Sequence, residues 1–371
     1  MASCTAPTPI QTAEPIVEVP SAPALTPTPE VLEGEAILPT DDIDVLMSKV
    51  VEQAPLAGIA LGIQFGDNLY TQSYGLADIA AGTPVTSQTV FKMASITKAV
   101  TAAAILRLSD EGKLSLDDPI SRFLPGTPEL AGNVRVRHLL NHTSGLPDWS
   151  IDAAQESLPE NFTTVEAVDY YFSTVEKLDF EPGASWSYNN LGYFLLGAII
   201  EQVSGMRYDE YFQTTFFEPL ALDSLNECPS SSDLLATGYH AANEEFELAR
   251  PSNLELGGAA GALCSNVGDL LRWQVALTHG RVLRPELWER MITPERLSTG
   301  RLLDYGFGVS VQQGDHGLAI MHEGATAGFN SFFIYYPEHD LNIVLLTNTD
   351  GFDSHLRAIS SLVASKLLRA Q

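Results

Sequence analysis

The sequence predicts an α+β fold with strand-rich ends and a mostly helical middle. Three observations carry this. Gly58–Phe65 and Leu69–Tyr74 are apolar runs on either side of the turn Gly66-Asp67-Asn68, the pattern of a strand–turn–strand hairpin. Leu318–Glu323, Phe329–Tyr336 and Leu341–Leu346 are three further apolar runs, separated by turn residues as in an antiparallel meander. The region between hairpin and meander is rich in helical segments bounded by Gly, Pro and Asn.

In chain order, residues 1 to about 38 read as a disordered tail. Pro, Thr, Ala and Glu dominate, and Lys, Arg and aromatics are absent. Such a segment cannot bury enough apolar area to offset its ordering entropy. Asp41–Gln53 has helical spacing, with Ile43, Leu46, Met47 and Val50 on one face. The hairpin follows. Phe91–Asp110 reads as a helix buried in the middle of the fold, because Ala, Ile and Val dominate it, and Glu111-Gly112 ends it. Gly112–Pro119 is a turn into a short helix that runs to Leu124-Pro125. Pro182-Gly183 is a turn, and Tyr193–Val203 reads as a long apolar helix. Asp269–Leu277 is another helix, with Asn266 placed to cap it. Phe352–Leu368 closes the chain as an amphipathic helix.

Composition narrows the function. The chain has 371 residues, 45% hydrophobic and 18% charged, enough for a sizeable core. Its net charge of −27 argues against nucleic-acid binding, which needs a basic face. No apolar run is long enough for a membrane-spanning helix. Three cysteines, Cys4, Cys228 and Cys264, do not make a disulfide framework, and spacing leaves open whether Cys228 and Cys264 pair. Met-Ala-Ser-Cys4 resembles the end of a bacterial lipoprotein signal. That suggests a possible lipid anchor at Cys4 and a place in the cell envelope or periplasm.

Lys98 lies in the apolar helix three residues after Ser95. Burying an unpaired ammonium is costly, so the lysine needs a reason. Positions i and i+3 share a helix face and rise roughly 4.5 Å, so the amine can fold back on the hydroxyl. A serine becomes a nucleophile when a base takes its proton. Tyr188-Asn-Asn190 sits in a loop just before the second long helix, where a rigid scaffold would hold it; Asn190 could equally be that helix's N-cap. His322-Glu-Gly324 lies on the first strand of the meander. His138 and His142 have i,i+4 spacing, but with no third ligand in sequence they read as structural, and no metal is expected. Gly257–Ala262 lacks the Lys-Ser/Thr of a phosphate-binding loop.

Ser95-x-x-Lys98, Tyr188-x-Asn190 and His322-x-Gly324 occur in this order, with Leu139–Gly145, Pro182-Gly183 and Gly257–Trp273 around them. Together they resemble the serine β-lactamase and penicillin-binding-protein superfamily, in particular the class C β-lactamase-like branch with its esterases and D-aminopeptidases. The resemblance runs from about Asp41 to the last helix. It departs at the third motif, where lactamases typically have Lys-Thr-Gly. It implies one antiparallel sheet built from about 41–90 and 300–371, and a helical part of about 91–300, in a domain spanning 39–371. It also implies an active site with catalytic Ser95, Lys98, Tyr188, Asn190 and His322. The backbone amides of Ser95 and Ala325 would form an oxyanion hole, and Gly324 would keep the substrate edge uncrowded. Lys98 and Tyr188 share the general-base work, and the sequence does not divide it between them. His322 would titrate near neutrality, hydrogen-bonding Tyr188 or substrate.

The expectation is a serine hydrolase acting through an acyl-enzyme on carboxylic esters or small amides, without metal or cofactor. A D,D-peptidase, D-aminopeptidase or weak β-lactamase is the nearest alternative. A non-catalytic binder of peptidoglycan fragments is the alternative of another class, and it need not retain Ser95, Lys98, Tyr188 and Asn190 together.

Overall fold

The computed structural model describes residues 39–149, 154, 156–159, 162–242, 245–250 and 256–369. The tail of residues 1–38 and Cys4 lie outside the described residues. Helix α1 (Thr40–Gln53) precedes strands β1 (Gly58–Phe65), β2 (Asn68–Asp78) and β3 (Thr83–Pro84). Helices α2 (Thr97–Asp110), α3 (Asn190–Ser204) and α4 (Val267–Thr278) follow. The chain returns through β4 (Ser310–Gly314), β5 (Gly317–Thr326), β6 (Phe329–Tyr336) and β7 (Leu341–Thr347) to α5 (Asp353–Arg369).

The seven strands form one antiparallel sheet in the order β3-β2-β1-β7-β6-β5-β4. The hairpin and the meander meet at β1 and β7, where Ile59 pairs with Thr347 and Phe65 with Leu341. Side chains alternate across a strand, and both faces of this sheet are covered. Ile59, Leu61 and Ile63 of β1 pack with Ile43 and Met47 of α1 and with Leu356 and Val363 of α5. On the other face Ala60 joins the larger core with Val267, Leu270 and Leu271 of α4. A strand buried on both faces reads as a continuous apolar run, as β1 does. Gly62 lets α4 approach, since a Cβ there would lie 3.2 Å from Val267 Cγ2. Each fully buried aliphatic side chain contributes about 1.5–3 kcal/mol relative to exposure.

The predicted helix at Phe91 starts later. Phe91-Lys92 is a short strand paired with Cys264-Ser265, Ala94–Ile96 is a single 3-10 turn, and α2 begins at Thr97. From Thr97 to Leu106 every residue of α2 is buried, as expected of a helix apolar on all sides. The edge strand β4 was not marked by the sequence, because Ser-Val-Gln-Gln-Gly is polar and half exposed.

Cys228 and Cys264 form a disulfide, with Cα atoms 4.9 Å apart. It ties the short strand Asn226-Glu227 to its neighbour Leu263–Ser265. Closing a separation of 36 residues stabilises by at most about 4 kcal/mol through loss of unfolded-state entropy. Cys228→Ser is therefore expected to lower the urea midpoint clearly. A midpoint that stays put in both the variant and the reduced wild type would show that the bond adds nothing.

Candidate active site

Ala94 has φ +47°, a left-handed conformation for a residue with a Cβ. That backbone costs on the order of 1–3 kcal/mol and persists where the surroundings over-determine it. It swings Ser95 into a 3-10 turn at the mouth of α2. Strand β5 pins the turn from the side. The Ser331 hydroxyl donates to the Met93 carbonyl at 2.7 Å. A Cβ on Gly324 would lie 2.3 Å from that same carbonyl oxygen and 3.1 Å from the Ser95 amide nitrogen. Glycine is thus needed at 324 for the strand to touch the backbone around Ser95, a closer reason than crowding of substrate.

Lys98 is fully buried. Its Nζ lies 3.0 Å from Ser95 Oγ, 2.8 Å from Asn190 Oδ1 and 2.8 Å from the Ala260 carbonyl oxygen. Burial lowers its pKa from 10.5 to about 7, against a raising effect of Asp148. The two carbonyl oxygens can only accept, so they fix two amine hydrogens. In the neutral amine the lone pair then faces the Ser95 hydroxyl.

Asn190 is the first residue of α3 rather than its cap. Asn189 caps the helix, accepting from Gly192 N at 2.6 Å. Asp148 accepts from Leu191 N at 3.0 Å and Asn190 N at 3.3 Å. It anchors this helix start beneath Lys98. The loop Gly257–Ala262 supplies Ala260, and its Ala259 carbonyl accepts from Thr101 Oγ1 at 2.6 Å. A glycine-rich loop that holds no phosphate motif therefore serves the lysine with its backbone.

Tyr188 stands over Lys98, with Nζ 4.9 Å from its ring centroid. Burial raises its pKa far above the usual phenol value, and hydrogen bonding to Ser95 opposes this only in part. His142 packs on the Tyr188 ring at 4.4 Å between centroids. Its Nδ1 accepts from Asn189 N at 3.2 Å, and burial followed by the Lys98 charge keeps it neutral. His138 is held elsewhere, its Nδ1 accepting from Arg135 N at 3.2 Å, so the two histidines do not share a ligand.

His322 differs from its expectation. Nδ1 donates to the Glu323 carbonyl at 2.6 Å, which leaves Nε2 to accept from the Tyr305 hydroxyl at 2.9 Å. Burial, and then the Lys98 charge, lower its pKa to about 3. The imidazole does not titrate near neutrality, and its partner is Tyr305, not Tyr188. Tyr305 escaped the sequence reading; the available signal was an aromatic among glycines, Tyr305-Gly-Phe-Gly308. Gly308 runs against α2, where a Cβ would lie 2.6 Å from the Lys98 carbonyl oxygen.

Ser95, Tyr188, Asn190, Tyr305, His322 and Ala325 line one cleft of about 460 Å³, together with Trp186, Glu323, Gln312 and Arg357. Arg357 of α5 donates to Gln312 Oε1 at 2.6 Å. It places a permanent cation in the cleft, whose third motif lacks the usual lysine.

The sheet, the flanking helices and this serine–lysine–tyrosine cluster define a class. The chain belongs to the beta-lactamase family, whose model matches residues 43–366. It is 31% identical over 335 residues to penicillin-binding protein 4* of Bacillus subtilis, covering 85% of this chain and 73% of that one. It is 30% identical over 240 residues to the esterase EstB of Burkholderia gladioli, covering 61% of this chain and 60% of the esterase. Two solved structures share the fold. The octameric penicillin-binding protein homologue of Pyrococcus abyssi aligns with a TM-score of 0.75 at 27% identity, over 88% of this chain and 77% of that one. The D-amino acid amidase of Ochrobactrum anthropi SV3 aligns with a TM-score of 0.72 at 25% identity, over 89% of this chain and 97% of that one. No helix among the described residues is long and apolar enough to cross a membrane.

Proposed function

We propose that the chain is a serine hydrolase that cleaves carboxylic esters or small amides through an acyl-enzyme on Ser95, as one hydrolase domain from residue 39 onward. The observation that carries this is the buried Lys98, depressed to about 7 and aimed at Ser95 Oγ. A fully buried lysine with that pKa is half neutral at neutral pH, whereas Tyr188 keeps its proton. This favours Lys98 as the base and Tyr188 as the acid. The Ser95 proton passes to Lys98 Nζ as Oγ bonds to the acyl carbon. The oxyanion is held by the Ser95 and Ala325 amides. Tyr188 protonates the departing alkoxide or amine and recovers its proton from Lys98. Water then attacks the ester of Ser95 with the same groups in reverse, releasing the acid and restoring the hydroxyl.

The esterase and amidase relatives support an acyl substrate of this kind. The class C-like branch is the finer placement that Tyr188-x-Asn190 supports. The Cys228–Cys264 disulfide suits an oxidising compartment and supports a place in the cell envelope. A fluorophosphonate probe is expected to label the Ser95 peptide, and a panel of p-nitrophenyl esters, nitrocefin and D-amino-acid amides to be turned over by wild type alone. Labelling that survives in Ser95→Ala would remove the proposal, and a preference for nitrocefin over neutral esters would replace esterase with β-lactamase.

Arg357 lines the cavity, while His322 stays neutral down to about pH 3. Arg357→Ala is expected to lower kcat/KM for carboxylate-bearing substrates about tenfold, the worth of one charge-assisted hydrogen bond, and to leave neutral esters unchanged. A gain for anionic substrates between pH 7 and 5 would instead point to a titrating His322.

A further inference from the structure

We propose that a second cavity, lined by Arg135, Arg137, Arg296 and His138, binds a small oxyanion, a carboxylate or phosphate group. The cavity has a volume of about 700 Å³ and shares no lining residue with the catalytic one. Its lining sets three arginines against two glutamates. The chain carries 47 acidic and only 20 basic residues, yet three arginines converge here.

Each guanidinium is oriented by one nitrogen. Arg135 Nη1 donates to the Asp117 carbonyl, Arg137 Nη1 reaches Asp117 Oδ1 at 2.7 Å, and Arg296 Nη1 donates to the Gly300 carbonyl at 2.9 Å. Two of the three anchors are therefore neutral carbonyls, which leave the charge uncompensated. Of the two lining glutamates, Glu295 is already neutralised by Arg290 and accepts from Asn141 Nδ2 at 2.7 Å, which leaves the Glu181 carboxylate against three arginines. His138 adds a neutral donor. Its Nδ1 accepts from Arg135 N, so the proton sits on Nε2, near the Gly183 turn. Burial, followed by Arg137 and Arg135, lowers the His138 pKa to about 4, so the ring stays a neutral donor.

Planar guanidinium forks match both carboxylate and phosphate oxygens. The same cavity is lined by Thr143 and Gly183, joined by a hydrogen bond of 2.8 Å from Gly183 N to the Thr143 carbonyl. An anion seated there would touch the segment that continues to Trp186 and Tyr188. The inference does not rest on the hydrolase reading.

The test is calorimetric titration of the full chain, using inorganic phosphate in one arm and succinate in the other at low salt. Saturable one-to-one binding is expected in at least one arm. Binding of phosphate alone or succinate alone would name the group recognised. Arg135→Gln with Arg296→Gln is expected to weaken binding at least tenfold, and Arg357→Gln to leave it unchanged. Both arginines are exposed, so the variant should fold; if it does not, Arg296→Gln alone carries the test. No saturable binding in either arm, binding that survives these substitutions, or binding that falls with Arg357→Gln would overturn the proposal.

Discussion

Lys98→Met is expected to lower kcat/KM for a neutral ester by roughly 10³–10⁴, the upper range for a positioned general base, and to be less costly to stability in acid than in base. The lysine is fully buried, and burial depresses its pKa from 10.5 to about 7. Catalysis needs the neutral amine. Wild-type kcat/KM should therefore fall tenfold for each pH unit below about 7 and level off above it. Linkage gives the sign for stability. Between pH 7 and 10.5 the unfolded chain binds a proton that the folded chain rejects, so burying Lys98 costs more as pH falls from 10.5 to about 7. Below 7 the cost is constant, on the order of 5 kcal/mol. Methionine removes it but leaves Asn190 Oδ1 and Ala260 O without a donor, about 1–3 kcal/mol each. The Tm of the variant relative to wild type should thus be higher at pH 6 than at pH 10. A wild-type rate profile that runs flat through pH 7 would rule out Lys98 as the titrating base.

Gly324→Ala is expected to cost about 10²-fold in kcat/KM with the fold kept. The added Cβ would lie 2.3 Å from Met93 O and from Ser331 Oγ, and 3.1 Å from Ser95 N. Backbone cannot yield as a side-chain tip does, so β5 must back away from the nucleophile turn. A displacement near 1 Å at a reacting centre is worth about 10²-fold. The loss should appear in kcat, because the amides of Ser95 and Ala325 move apart while the cavity wall formed by Trp186 and Arg357 stays. A variant that matches wild type in rate would show that strand and turn are not coupled.

Local pattern made much of this legible. β1, β6 and β7 are apolar runs because the sheet is covered on both faces. The apolar α2 with its one lysine marked the middle of the fold, and the order of the three short motifs marked the cleft that Ser95, Tyr188, Asn190 and His322 line. The expected i,i+3 reach of Ser95 and Lys98 is met across the junction of the 3-10 turn and α2, at 3.0 Å.

What lay beyond the sequence were contacts between distant segments. The Lys98 amine is held by a carbonyl of Ala260, and backbone carbonyls leave no residue-type signal. His322 is neutral because burial, and then the Lys98 charge, disfavour its cation, and burial is a property of the assembled core. Arg357 enters the cleft from the last helix, where it reads as an ordinary surface charge. The sequence by itself determined the main strands and helices, which follow from local periodicity, and the Ser95–Lys98 pairing, which the order of the three motifs marked. Only the tertiary structure decided the protonation of that pair, because desolvation is set by every segment packed around it.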